Sequence, residues 1–488
     1  MTVLTVPLLV LSTLAQTPAP RDLVARAVTA MGGETAVRGL RGSAIDFYQA
    51  TFALGQEETP ASPARANLTI GRQVTDYTGN RVLFTTEGRN PTGAVNKVRR
   101  VIAGSIGMTE TNGVLAPDNA GQVASVERFI RRTPERLLIA ALDNPAALRS
   151  LPVHRWREEA LDGIRYAAGL DTLDLYFDRR TGLLVLTETL TDDPILGDRL
   201  TRTAFTRWQD AGGILFARQV DIEVNNRLQT NTVATAVSTN PELPDTMFAI
   251  ADSIAARAQR SSSAPPPVVV TLVELAPGVW RAEGGTHHSL VVDQGARVVV
   301  VEAPLGAART QALLDTLSAR FPAKPVGLVV NTHHHWDHAG GLRAALAAGV
   351  PVVTQARNAA FVRGIAAARK TVSPDALDRR LGAARIRPPA ITAVEDSMVL
   401  GAGDGRIVIY RLPTVHVEGM LAAYVPAARL LFVSDVLSPG ATLAPVGSAE
   451  LVALARARGI TVDRVAGGHG GVAAWADVER AAAPTPTP

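Results

Sequence analysis

The residues best suited to chemistry lie in one short stretch, Asn331–Gly341, which reads N-T-H-H-H-W-D-H-A-G-G. Its metal-ligating side chains follow the pattern H-x-H-x-D-H: His333, His335, Asp337 and His338. An apolar run, Val326–Val330, precedes the stretch and predicts a buried strand that ends in this loop. Because residues i and i+2 of an extended chain project to one side, the first two histidines of the pattern can converge on one metal ion. The aspartate and the last histidine begin the next turn and face a neighbouring position, so the pattern predicts a metal-binding loop.

The composition is that of an ordinary globular protein with more than one domain. The chain has 488 residues, of which 47% are hydrophobic and 19% are charged, which is enough for two or three domains. The net charge of +4 is small for this length and no block of Lys or Arg occurs, so no nucleic-acid partner is expected. The absence of cysteine excludes disulfides and thiolate metal ligands. We expect a small-molecule substrate, and the sequence leaves the oligomeric state open.

Residues 1–20 are predicted to be a secretory signal peptide. The apolar run Val3–Leu11 is too short to span a bilayer, and the small residues that follow it suit signal peptidase. No Lys or Arg precedes the run, so a frayed N-terminal tail is the alternative. No other apolar stretch approaches the length of a membrane span. The expected location is the periplasm or the medium, without a stable membrane span.

Residues 21–250 carry the pattern of an α+β domain dominated by an antiparallel sheet. Helical spacing covers 22–31, and a longer helical segment, about 125–151, is interrupted by Pro134 and Pro145. Short alternating runs predict strands, with tight-turn signals between the later ones: 66–70, 81–85 and 173–177. In turn placement and alternation, the part from Phe177 to Phe248 resembles the half-open β-barrel domains related to periplasmic lipoprotein carriers. That resemblance implies a concave face able to hold acyl chains, and a packing or substrate-positioning role is the alternative.

Two segments are predicted to lack a core of their own. Residues 251–267 are rich in Ala, Ser and Pro and predict a semi-rigid linker, and residues 481–488 predict a disordered tail. Between them, residues 268–480 begin with several strands and continue with alternating strands and helices. This order favours a layered α/β sandwich.

This second half resembles the metallo-β-lactamase-fold hydrolases, which are αββα sandwiches with a dinuclear metal site along one edge of their sheets. The opening Pro277–Trp280 and the run Gly284–Val292 are similar to the entry hairpin of that family, and the H-x-H-x-D-H loop is its metal motif. The resemblance implies three further ligands: His416 in T-V-H-V-E-G, Asp435 in L-F-V-S-D, and His469 in G-G-H-G. The residue pair after His416, Val417-Glu418, departs from the small-Pro pair usual there, and this change is expected to reshape one wall of the site.

The chemistry of these residue types agrees with the resemblance. Three imidazoles, those of His333, His335 and His416, suit one divalent ion, and the remaining ligands suit a second: Asp337, His338 and His469. Asp435 can bridge the two ions, and a water held between them becomes hydroxide near neutral pH. We expect two Zn²⁺, with Fe or Mn as alternatives, and we expect Asp337 to serve in catalysis. His287 and His288 either line the mouth of the site or occupy an exposed turn, and the turn is the preferred interpretation.

Three functions follow as hypotheses. The first is a dinuclear zinc-dependent hydrolase of an ester, thioester, lactone or amide. Penicillin-hydrolysing members of the fold carry Cys or Ser in place of Asp435, and lactonases place a tyrosine where this chain has Ser438, so neither substrate is favoured. The second is an iron-dependent oxidoreductase similar to the persulfide dioxygenases of this fold. The third is a periplasmic lipid- or lipoprotein-binding protein with an accessory metal domain.

Overall fold

The computed structural model of the chain describes residues 18–89, 93–169, 171–260, 267–384, 389–440 and 442–482. The chain folds into two compact units. The first comprises Met1–Thr51, Leu68–Thr189 and Thr201–Ser263, and the second comprises Phe52–Asn67, Leu190–Leu200 and Ala264–Pro488. Most of the predicted signal peptide, residues 1–17, and most of the predicted tail, residues 483–488, lie outside the described residues. Among the described residues, no helix combines the length and the apolar character that crossing a membrane requires.

The first unit is built on a 13-stranded sheet, and the ten neighbouring pairs whose register is described all run antiparallel. Its strands are β1 (Gly42–Phe52), β2 (Ala66–Asp76), β3 (Arg81–Arg89), β4 (Val95–Ala103), β5 (Ile106–Thr111), β6 (Val114–Pro117), β7 (Leu148–Trp156), β8 (Glu159–Ala168), β9 (Asp171–Asp178), β10 (Leu184–Asp193), β11 (Gly197–Asp210), β12 (Leu215–Val224) and β13 (Arg227–Thr239). Its helices are α1 (Pro20–Ala30), α2 (Glu34–Arg38), α3 (Ala120–Arg131), α4 (Pro134–Asp143) and α5 (Asp252–Arg260). The predicted α+β class with an antiparallel sheet is confirmed for this unit.

Two local predictions in this unit need correction. The helical segment predicted over 125–151 is interrupted at Pro134 as predicted, but it begins earlier, at Ala120, and Leu148 already begins a strand. A proline is accommodated at the first position of a helix because its missing N–H is not needed there. In the segment predicted as a linker, Asp252–Arg260 is helical because Ile254 is buried in a cluster with Val101 and Phe248.

The second unit contains two sheets, of seven and six strands. The seven-stranded sheet consists of β14 (Thr271–Ala276), β15 (Val279–Gly284), β16 (His287–Asp293), β17 (Val298–Val301), β18 (Val326–Asn331), β19 (Val352–Gln355) and β20 (Ile391–Val394). The six-stranded sheet consists of β21 (Ser397–Leu400), β22 (Ile407–Leu412), β23 (Met420–Val425), β24 (Leu430–Phe432), β25 (Arg464–Ala466) and β26 (Val472–Ala474). The helices are α6 (Ala307–Arg320), α7 (Trp336–Ala339), α8 (Leu342–Ala347), α9 (Ala359–Ala367), α10 (Ala376–Ala384), α11 (Pro445–Arg458) and α12 (Trp475–Ala482).

The apolar clusters of this unit establish four layers. Strand β17 alternates between two of them: Val298 and Val300 pack with helices α6, α8 and α9, whereas Val299 and Val301 pack against the second sheet. On the far side of the second sheet, Leu451 of α11 lies in a third cluster with Leu431. A strand buried on both faces must be apolar at every position, as this one is. The predicted αββα sandwich is confirmed.

A buried arginine ties three helices of the first layer together. Arg343 of α8 is only 3% exposed. Its guanidinium donates to Asp375 (2.6 Å) and Asp378 (3.1 Å), and to the carbonyl oxygens of Ile365 (2.8 Å) and Ala368 (2.6 Å). Burial by itself would raise the pKa of Asp375, but the hydrogen bonds from Arg343 hold it well below its usual range.

We expect Arg343→Met to lower the free energy of unfolding by about 2–4 kcal/mol at pH 7, because Arg343 is buried while its aspartates keep some solvent contact. A carboxyl group with a lowered pKa in the folded state stabilises above its unfolded pKa and loses that effect as the pH falls. The gap between variant and wild type should therefore shrink below about pH 4. Denaturant titrations at pH 7 and at pH 3 measure this gap. Arg480→Met, which removes an exposed pair with Asp477, is the matched control and should cost less than about 1 kcal/mol.

Candidate metal centre

The predicted ligands meet at one edge of the two facing sheets. The H-x-H-x-D-H loop follows β18, and Asp435 lies in the turn after β24. His416 lies between β22 and β23, and His469 follows β25. Each ligand comes soon after the carboxyl end of a buried strand, so the rigid sheets fix the backbone positions from which the ligand side chains project. All seven residues predicted as ligands are brought together here.

The ligand atoms form two groups. The nitrogen and oxygen atoms within each group lie within 4.8 Å of one another: His333, His335, His416 and Asp435 in group A, and His287, Asp337, His338 and His469 in group B. One oxygen of Asp435, Oδ2, lies 3.3 Å from His416 Nε2 and 3.9 Å from His333 Nε2. The other, Oδ1, lies 2.8 Å from His338 Nε2 and 3.1 Å from His469 Nε2. Asp435 therefore presents one oxygen to each group, which is the arrangement of a bridging carboxylate.

The side chains fit a metal because their inward-facing atoms lack protein partners. Five buried atoms of the site make no hydrogen bond to any described residue: His333 Nε2, His335 Nδ1, His338 Nε2, His416 Nε2 and Asp435 Oδ1. His338 Nε2 and Asp435 Oδ1 approach to 2.8 Å but are not aligned for a hydrogen bond. Buried polar atoms are nearly always satisfied, so a cluster of such exceptions needs an explanation. Imidazole nitrogens and carboxylate oxygens are ligands that suit a divalent transition metal.

Electrostatics favour the metal-binding forms of His333, His335, Asp337 and Asp435. Burial lowers the pKa of His333 well below its usual value and that of His335 to about 3, so both are neutral and able to bind a metal. Burial by itself would raise the pKa of Asp337, but hydrogen bonding to His287 and the nearby His338 lower it to about 2. The imidazoles around Asp435 likewise outweigh burial and hold the pKa of that carboxyl well below its usual range. Both aspartates are therefore carboxylates. Burial by itself would lower the pKa of His338, but the carboxylates of Glu302 and Asp435 raise it well above its usual value, so a metal bound there displaces a proton.

A buried carboxylate behind group B orients His338. Glu302 is fully buried, and its Oε2 lies 2.9 Å from His338 Nδ1. Its Oε1 accepts from Thr332 Oγ1 at 2.6 Å and from Ser434 Oγ. Because a carboxylate only accepts, Nδ1 of His338 carries a proton and Nε2 is directed at the centre. Glu302 (φ +74°) and Ser434 (φ +49°) both have left-handed backbone conformations, which are costly for such residues and are found at functional sites.

We expect Glu302→Gln to weaken metal binding at group B by about 10–100-fold, because the amide carries no charge and has only one oxygen to accept from His338 and the two hydroxyl groups. An amide would also set its NH₂ against neighbouring donors, and we expect it to lower the free energy of unfolding by about 2–4 kcal/mol. Metal titration and thermal unfolding measure the two effects. Glu283→Gln, in a half-exposed pair with Arg281, is the control. An unchanged affinity for metal at group B would contradict the role given to Glu302.

One sequence interpretation of the site is wrong. His287 was expected in an exposed turn, but it opens β16 with only 6% of its surface exposed, and its Nε2 lies 3.3 Å from Asp337 Oδ2. Its backbone pairs with Gly284 in the neighbouring strand, which turns the side chain inward. No sequence pattern indicates Gln56, whose Nε2 donates to Asp337 Oδ1 at 2.8 Å. An adjacent H-H pair has no ligand spacing, and Gln56 lies 281 positions away from its partner.

Comparisons with known proteins agree with this geometry. Residues 282–469 match the family model described as the metallo-beta-lactamase superfamily. No curated protein matches the chain.

Solved structures give similar but weak alignments. The metallo-β-lactamase FIM-1 from Pseudomonas aeruginosa, in its mono-zinc form, is 17% identical over 45% of this chain and 95% of its own, with a TM-score of 0.35. A metallo-β-lactamase from Pontibacter korlensis is 20% identical over 43% and 95%, and one from Hirschia baltica is 19% identical over 44% and 96%, each with a TM-score of 0.33. From the family match and the ligand groups, residues 282–469 form a metallo-β-lactamase-superfamily domain with the fold of a metal-dependent hydrolase-type enzyme.

Proposed function

We propose that this protein is a dinuclear zinc-dependent hydrolase of a carbonyl substrate: an ester, thioester, lactone or amide. The observation that carries the proposal is the position of Asp435, with one oxygen toward each of two ligand groups. A bridging carboxylate is useful only if two cations lie side by side. When bound, such a pair supplies a water of lowered pKa and a positive charge that stabilises the oxyanion of the transition state.

The residues around the centre close one side of it to water and leave the other side open to the substrate. His333 and His338 have no exposed surface, so one side of the centre is closed by protein. The side chains of His416 and His469 are each 29% exposed, which leaves the opposite side for the substrate. Next to ligands in the sequence, Trp336 and Val415 are 46% and 73% exposed. Exposed apolar side chains next to the ligands in the sequence support an acyl substrate over a phosphate.

The choice of zinc rests on the donor set. Five predicted imidazole ligands and two carboxylates suit Zn²⁺, and the same set suits Fe²⁺ or Mn²⁺ less selectively. The proposal includes a small-molecule substrate. It also includes export to the periplasm or the medium, which the N-terminal apolar run supports.

Metal analysis and a substrate panel test the function together. The purified protein should contain about two zinc ions per chain and should hydrolyse at least one chromogenic ester, thioester, lactone or amide. An oxygen-uptake assay with a persulfide, run on protein loaded with iron, tests the oxidoreductase alternative. Oxygen consumption without hydrolysis of any panel member would overturn the proposal in favour of that alternative.

A further inference from the structure

One segment of the second unit, residues 53–65, lies against the loops that carry the ligands. It connects β1 to β2, and residues of this segment accept backbone hydrogen bonds from both ligand loops. Trp336 N donates to the carbonyl oxygen of Gly55 at 3.3 Å, and Glu418 N donates to that of Glu58 at 2.9 Å. Arg65 adds a hydrogen bond from its Nη2 to the carbonyl oxygen of His416 at 3.3 Å. The segment therefore contacts the chain on either side of the ligands.

The segment fixes the tautomer of a group A ligand. His335 Nε2 lies 3.0 Å from the carbonyl oxygen of Glu57. A carbonyl oxygen only accepts, so Nε2 carries the proton and the lone pair resides on Nδ1. Nδ1 is the buried atom of this ring that has no partner among the described residues, and it belongs to group A. The carbonyl of Glu57 thus selects the nitrogen that is offered to a metal.

The same segment orients a group B ligand. Gln56 Nε2 donates to Asp337 Oδ1 at 2.8 Å, while the other carboxylate oxygen faces His287 and His338. The side-chain amide of Gln56 thereby occupies Oδ1 of Asp337, and Oδ2 of Asp337 remains available to a metal ion at the centre. The segment is itself held rigidly, because Glu57 is buried and its Oε2 accepts from Gly55 N at 2.9 Å.

We propose that residues 53–65 are a positioning element of the metal centre: the carbonyl of Glu57 sets His335 for the first ion, and the side chain of Gln56 sets Asp337 for the second. The inference rests on the proposed dinuclear function and adds residues that lie outside the 282–469 domain. Hydrogen bonds to metal ligands typically change metal affinity by 10–100-fold. Gln56 is the member that can be tested by substitution, since its contact is made by a side chain.

The experiment titrates metal-free protein with Co²⁺ and follows the visible ligand-field bands, which report each ion without any substrate. We expect Gln56→Ala to bind the first ion with an affinity within about twofold of wild type and the second about 10-fold more weakly. Gln56→Leu keeps the volume of the side chain but not its donor, and it should show the same loss. Ser62→Ala, in the same segment and bonded to Thr59, should leave both affinities unchanged.

Three results would overturn the inference. If Gln56→Ala bound both ions with wild-type affinity, the inference would be wrong and the proposed function would be unaffected. Restoration of the second affinity in Gln56→Leu would show that the segment acts by packing and not through the hydrogen bond to Asp337. A wild-type protein that binds fewer than two ions would contradict the proposed function and this inference together, so the two failures are distinguishable.

Discussion

Replacing Asp435 with asparagine is expected to lower kcat by about 10³-fold or more. The side chain keeps its shape, but the negative charge that faces both ligand groups is lost. Removing one preorganised group that stabilises transition-state charge costs about 10²–10³-fold in well-studied hydrolases. A bridging ligand also determines whether the two ions lie close enough to share a water. The expected loss is therefore at the upper end of that range.

The measurement is steady-state hydrolysis of the substrate found with the chromogenic panel, together with metal content of each protein. Asp435→Ala should show at least the same loss. Asp463→Ala is a matched control, since this aspartate is exposed and pairs only loosely with Arg429 at 3.7 Å. If Asp435→Asn turned over substrate at the wild-type rate, the dinuclear mechanism would be wrong.

The sequence predicted which side chains the structure brings together at the candidate metal centre, but it did not predict their surroundings. The H-x-H-x-D-H loop is a local pattern, and a strand that ends in an extended loop places its histidines correctly. His416, Asp435 and His469 came from resemblance to a family, because each is a single residue without a spacing of its own. Gln56 could not be found either way. Its role depends on a contact between residues 281 positions apart, which no local pattern encodes.

The fold shows the same division between local and long-range information. The strand predicted over Val326–Val330 is β18, since its continuous apolar run forms a clear pattern. No sequence pattern indicates the short strands β20 and β21, because four residues with mixed burial carry little periodicity. Leu148 was assigned to a helix although it begins a strand, because apolar spacing alone does not show where a helical pattern gives way to a sheet.

Removing the metal is expected to abolish hydrolysis and to lower the melting temperature of the second unit. An ion that binds only the folded state stabilises it by about 4 kcal/mol at a thousand times its Kd. For a unit of this size each kcal/mol corresponds to roughly 2–4 °C, so the expected decrease is roughly 8–16 °C. The metal-free centre also leaves buried atoms of His333, His335 and Asp435 without hydrogen-bond partners among the described residues, which adds to the loss.

The test compares chelated protein with protein to which Zn²⁺, Fe²⁺, Mn²⁺ or Mg²⁺ is returned. Zn²⁺ should restore both the melting temperature and hydrolysis, whereas Mg²⁺ should restore neither, because it prefers oxygen ligands and the centre offers mainly imidazoles. The Asp435→Asn variant serves as the internal control: it should show a smaller shift on adding Zn²⁺, because one ligand of each ion has lost its charge. If Fe²⁺ restored stability together with oxygen uptake, and Zn²⁺ restored stability without hydrolysis, the centre would bind metal but the protein would not be a hydrolase. A melting temperature unaffected by chelation, in protein verified to be metal-free, would mean that the imidazoles and carboxylates of this edge do not stabilise the fold through an ion at all.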